Sequence, residues 1–206
     1  MLGTLFNSLE LNTKMKIIFL DIDGVLNCED AYRSGECQYQ EWIWEDGRKD
    51  HYQRFCSWSK DLMNKLIRET GAKIVISSTW RHGGIEFMRK VWEMEEMEGR
   101  IIGITPSLRT KGLHIPRGME IDYYLKEDLK FSHINWDEDI QREYMEKSGV
   151  DNYIIIDDDS DMLYNQRNHF VHVLPSPRNK RGFNEKYYEE ALEKLSKNVI
   201  DLNYSE

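Results

Sequence analysis

Three short apolar runs, two of them opened by a lysine, stand out from a largely polar chain: Lys16-Ile17-Ile18-Phe19-Leu20, Lys73-Ile74-Val75-Ile76 and Tyr153-Ile154-Ile155-Ile156. Each is too short for a helix and rich in β-branched or aromatic residues, the pattern of a strand buried on both faces. Arg100–Ile104 and Phe170–Leu174 read as two further strands. Between these runs the apolar spacing becomes helical. Ser57 or Ser59 is placed to cap a helix carrying Leu62, Leu66 and Ile67, with Gly71 as its stop. Further helices are expected over residues 85–98, from Arg117 with Ile121, Tyr124 and Leu125 on one side, over 137–148 up to Gly149, and over 184–197. Strands alternating with helices predict an α/β fold with a parallel sheet covered on both faces.

Two stretches fall outside that alternation. Residues 1–14 lack a clear period and read as a lead-in without fixed structure, with Met15 as an alternative start. Residues 28–56 mix Tyr, Trp, Cys, Gly and charges, as in Glu41-Trp42-Ile43-Trp44-Glu45-Asp46-Gly47, and suggest a small cap or flap inserted after the first strand. The expected organisation is one domain over 15–206 carrying that insertion.

The 206-residue length suits one domain plus such an insertion, and 40% hydrophobic with 32% charged residues is a globular balance. No apolar run approaches the roughly 18 residues that would span a bilayer, and no secretion signal is read at the N-terminus. Cys28, Cys37 and Cys56 leave one thiol over in any pairing and lack metal-ligand spacing, so a cytoplasmic location is expected. The net charge of −9 argues against duplex-wide nucleic-acid binding. A phosphorylated substrate stays compatible with it, because a bound divalent cation reverses the local sign.

The candidate chemistry lies at the strand ends. The first run stops at Asp21-Ile22-Asp23-Gly24, the second at Ser77-Ser78-Thr79-Trp80-Arg81, and the third at Asp157-Asp158-Asp159-Ser160-Asp161. In a parallel sheet these ends converge on the crevice where such folds bind ligands. Asp21, Asp23, Asp157, Asp158 and Asp161 would then repel one another, a conflict that a hard cation such as Mg²⁺ removes. Asp21 and Asp23, separated at a turn through Gly24, suit a nucleophile and a general acid/base. A calcium loop is a poor alternative, since Gly24 comes too early and the lead-in is a strand. Ser78, with Ser77 as the near alternative, can bind a phosphoryl oxygen or simply cap the next helix. For the fixed cation, Arg117 is favoured by its place at a helix start, with Lys111 and Arg81 as the other choices.

In this order the residues resemble the haloacid dehalogenase-like (HAD) superfamily of phosphohydrolases. Ile17 through Asn27 resembles its first motif, Ile74 through Ser78 the second, Arg117 the third, and Tyr153 through Asp158 the fourth. The resemblance implies a Rossmann-like, HAD-like fold and a Mg²⁺-dependent phosphomonoester hydrolase acting through an aspartyl-phosphate intermediate. It implies Asp21 as nucleophile and Asp23 as acid/base, with Gly24, Ser78 and Arg117 at the phosphate. The Mg²⁺ ligands would be Asp21, the Asp23 carbonyl and Asp157, with Asp158 acting through water. The Asp-Gly-Val-Leu-Asn, Ser-Thr-Trp-Arg and Arg-Gly-Met-Glu-Ile stretches look closest to small HAD domains of RNA-repair and polynucleotide kinase-phosphatase type. That branch suggests a nucleotide or phosphorylated nucleic-acid end as substrate, with a phosphorylated small molecule as the other partner the site would take.

Two other readings share these residues: a phosphotransferase with the same first step, and a non-catalytic module that binds metal or phosphate. Clustered carboxylates are costly to retain without a use, which weighs against the latter. Trp42, Trp44, His51 and Tyr52 are either a stacking surface for a base or packing for the insertion. Trp80 reads as core or site wall, and Arg178, Lys180 and Arg181 as a solvated loop.

Overall fold

The computed structural model describes residues 14–108, 113, 115–132 and 137–203. Five strands, β1 (Met15–Leu20), β4 (Lys73–Ile76), β5 (Ile101–Ile104), β6 (Val150–Asp157) and β7 (Phe170–His172), form one parallel sheet in the order β5-β4-β1-β6-β7. β1 is the centre, hydrogen-bonded to β4 on one side and β6 on the other.

The continuous apolar runs are explained by the two layers they meet. Along a strand, alternate side chains point to opposite faces. Ile18, Leu20, Ile74, Ile76, Ile154 and Ile156 enter one cluster, which is closed by α2 (Ser57–Thr70), α3 (Gly84–Met94) and α6 (Glu185–Ser196). Ile17, Phe19, Val75, Tyr153 and Ile155 enter the other, closed by α4 (Arg117–Glu127), α5 (Glu138–Ser148) and the short α7 (Val199–Asn203). Phe19 sits edge-on to both Tyr124 and Tyr153 at 5.9 Å. Each such side chain contributes about 1.5–3 kcal/mol on burial, so none of Ile17 to Leu20 can face water cheaply.

The insertion is a short helix, α1 (Glu29–Ser34), followed by an antiparallel hairpin of β2 (Tyr39–Ile43) and β3 (Lys49–Gln53). One face of the hairpin packs onto the domain: Trp42 lies against Phe87, and Tyr52 against Phe55 and Trp80. Glu95, fully buried, fastens it by accepting from Tyr52 Oη at 2.7 Å and Arg54 Nε at 3.2 Å.

Several expected boundaries shift for identifiable reasons. The helix expected over 85–98 is α3, preceded by a 3₁₀ turn over Thr79–Gly83, and it stops at Met94 as Glu95 turns inward. β6 begins three residues before Tyr153, because Val150 pairs with Met15 and the polar Asn152 donates to the carbonyls of Lys194 and Lys197. Neither Ser57 nor Ser59 caps α2; the N-cap is Cys56, and Ser59 Oγ donates to the Phe183 carbonyl at 2.9 Å. Gly71 does end that helix, in the left-handed region at φ 66°. The lead-in expected at the N-terminus lies outside the described residues apart from Lys14.

Candidate active site

Register builds the site. Leu20 of β1 pairs with Ile76 of β4 and with Ile156 of β6, so the next residues on all three strands stand at one level. Those residues are Asp21, Ser77 and Asp157. The Asp21 amide donates to the Ile156 carbonyl at 3.0 Å and the Ser77 amide to the Leu20 carbonyl at 2.8 Å, which fixes the level.

Arg117 meets this edge from the first turn of α4. Its Nη1 lies 2.8 Å from Asp21 Oδ1 and 2.9 Å from Asp157 Oδ2, and it also donates to the Ser77 carbonyl. The start of α4 is held by Asp161, whose carboxylate accepts from the Arg117 amide at 2.8 Å. Asp161 therefore positions the arginine rather than joining the other acids. Arg81, an alternative from sequence, is committed elsewhere: it pairs with buried Glu120 at 2.5 Å and donates to Thr105 Oγ1 at 3.0 Å. Lys111 lies outside the described residues.

Among the described residues, Asp21, Asp157 and Asp158 form the one group of three potential metal-binding side chains, with ligand atoms all within 4.8 Å of one another. Burial pushes the Asp21 carboxyl up, with the Arg117 charge and the Ser78 hydroxyl opposing. Burial and then the Asp21 charge hold Asp157 well above the usual carboxylate range. Asp158 is pushed up to about 6 by burial and by the charges of Asp21 and Asp159. Burial works against the Arg117 cation, but Asp21 and Asp157 outweigh it and hold its pKa above the ordinary guanidinium value. One guanidinium against three carboxylates leaves excess negative charge, and all the donors are hard oxygens. That set fits a divalent cation of the Mg²⁺ type.

Gly24 is required by this packing. Its φ is +77°, and a Cβ there would lie 2.2 Å from Asp158 Oδ2. Asp23, two residues from Asp21, stays exposed, and its side chain is not part of the three-carboxylate group. Its Oδ2 accepts from the Trp80 indole N–H at 2.9 Å. Ser78 caps the 3₁₀ turn, its hydroxyl accepting from the Trp80 amide at 3.4 Å, and it also hydrogen-bonds Asp21. Ser77 Oγ is buried with no partner.

The aromatic residues singled out in the insertion divide. Trp42 and Tyr52 face the domain, and Trp44 donates its indole N–H to Asp50. His51 lies on the opposite face of β3 and, with Tyr39, lines a cleft that opens beside Asp23. Tyr39 and the Trp80–Asp23 bond are the features that sequence reasoning missed.

A family model described as the HAD domain in Swiss Army Knife RNA repair proteins matches residues 17–187. The chain belongs to this family, whose HAD domain supports a phosphohydrolase type of activity. No match was found among curated proteins. Among the described residues, no helix is long and apolar enough to cross a membrane.

Proposed function

We propose that this chain is a Mg²⁺-dependent phosphomonoester hydrolase that works through a phosphoryl group carried on Asp21. The observation that carries the reading is the convergence of Asp21, Asp157 and Asp158 on one point, with Arg117 bonded to two of them. Asp21, Asp157, Asp158 and the Asp23 backbone carbonyl would hold the ion. Bound there, Mg²⁺ would neutralise charge on the phosphoryl oxygens.

An Asp21 carboxylate oxygen attacks phosphorus, and the bond from phosphorus to the ester oxygen breaks. Asp23 gives its proton to that departing oxygen, which leaves as an alcohol. Arg117 fixes the Asp21 carboxylate, and the Ser78 hydroxyl, hydrogen-bonded to Asp21, would bind a phosphoryl oxygen. In the second half, Asp23 takes a proton from water, the water oxygen attacks phosphorus, and the bond to Asp21 breaks. Inorganic phosphate leaves and both carboxyl groups return to their starting states. The family's association with RNA repair favours a nucleotide or phosphorylated nucleic-acid end as substrate, and the absence of a membrane-spanning helix among the described residues suits a cytoplasmic setting.

Purified protein is expected to release phosphate from a generic phosphomonoester when Mg²⁺ is present and to lose this on chelation. Asp21→Asn should abolish release while leaving the circular dichroism spectrum intact. Full activity in that variant would contradict the assignment.

A further inference from the structure

The mechanism above does not use the cleft that opens beside Asp23. The cleft measures about 380 Å³, within the lower range of small-molecule sites. Asp23 and Trp80 form one side; Tyr39 and His51 of the hairpin form another. The Tyr39 and His51 rings pack edge to face with centroids 5.6 Å apart, yet Tyr39 is 68% exposed. Trp42 and Tyr52 already fasten the hairpin to the domain, so these two outer rings are not needed for that packing.

Charge decides what the cleft can take. Neither Lys nor Arg lines it among the described residues, and Asp23 is its one acidic side chain. A second phosphate in this space would meet a carboxylate with no cation opposite it. A flat, uncharged group with hydrogen-bonding edges suits the lining better. Tyr39, His51, Tyr52, Trp80 and Phe87 supply aromatic rings, while Gln53 and Thr79 supply an amide and a hydroxyl.

Position identifies the group. Asp23 serves the leaving oxygen in the proposed reaction, so the cleft receives whatever is attached to that oxygen. We infer that it seats the nucleobase of a leaving nucleoside, either free or at the end of a strand, with Tyr39 and His51 as specificity residues. The inference rests on the hydrolase reading for its orientation, and the base seat itself is measurable without turnover.

The test is the affinity of the Asp21→Asn protein, with Mg²⁺, for AMP, ribose 5-phosphate and phosphotyrosine by calorimetry. AMP should bind more tightly than ribose 5-phosphate by roughly 5- to 150-fold, the range for stacking one base. Tyr39→Ala combined with His51→Ala in that background should remove most of this preference, with thermal melting confirming an intact fold. Equal affinity for AMP and ribose 5-phosphate, a preference that survives the double substitution, or tighter binding of phosphotyrosine than AMP would overturn the base seat. Phosphate release by the unsubstituted protein is scored separately. Release without an AMP preference removes only the base seat; an AMP preference without release removes only the hydrolase reading and leaves the seat standing.

Discussion

The Trp80 indole N–H donates to Asp23 Oδ2 at 2.9 Å, tying an exposed carboxylate to the strand end that follows β4. A side chain at a turn would otherwise sample several rotamers. This bond holds the Asp23 carboxylate beside the strand end, where the proposed reaction needs its proton.

Trp80 is therefore a positioning residue, and Trp80→Phe keeps the ring while removing the donor. Loss of one hydrogen bond to a charged group should lower kcat/KM about tenfold for an alkyl phosphate. The loss should be much smaller for p-nitrophenyl phosphate, whose leaving group needs little protonation. Equal losses on both substrates would mean that Trp80 serves only to pack the wall.

Arg117 balances two buried carboxylates, so its removal has a structural cost. Arg117→Met should destabilise the metal-free protein by about 3 kcal/mol at pH 7.5, as expected when one partner of a buried ion pair is lost. Urea unfolding measures this, and added Mg²⁺ should restore part of the loss by supplying a different counter-charge.

Much of this was legible in sequence because burial writes a strong signal. Ile17 to Leu20, Ile74 to Ile76 and Tyr153 to Ile156 could satisfy no water-facing surface, so a parallel sheet covered on both faces followed, with its acidic and serine ends together. The candidate site residues Asp21, Ser78, Asp157 and Asp158 are brought together by the same register. Boundaries were less legible where a polar residue finds an internal partner, as Glu95 and Asn152 do. The hairpin escaped notice because Gln40, Trp42 and Asp50 alternate with exposed residues over only five positions per strand. The bond from Trp80 to Asp23 joins residues 57 positions apart, and no local pattern encodes it.

Gly24→Ala tests the close approach between the first strand end and Asp158. Forcing a Cβ into φ +77° costs about 1–2 kcal/mol. The clash with the Asp158 carboxylate should add to that and weaken Mg²⁺ binding. Thermal melts with and without Mg²⁺ should show a lower Tm and a smaller Mg²⁺-induced rise than in the unsubstituted protein.

The acidic group also sets a pH dependence. Asp158 titrates at about 6 when folded, against roughly 3.9 in an unfolded chain. A carboxyl with a raised folded pKa contributes stability that is complete below the unfolded value and lost as pH rises through the folded one. The metal-free protein thus loses this contribution between about pH 4 and pH 6. Mg²⁺ should raise Tm more at pH 7.5, where Asp158 is charged, than at pH 5, where a proton must first leave. Calorimetric scans at the two values measure the difference.

Asp21 and Asp23 divide the labour only if a phosphoryl group rests on Asp21 between the two steps. The most direct measurement is borohydride trapping during turnover, which reduces an acyl phosphate to homoserine, followed by peptide mass spectrometry. Conversion at position 21, dependent on both substrate and Mg²⁺, is the predicted result. Rapid phosphate release with no modification at position 21, or with the trapped group on another residue, would contradict the account.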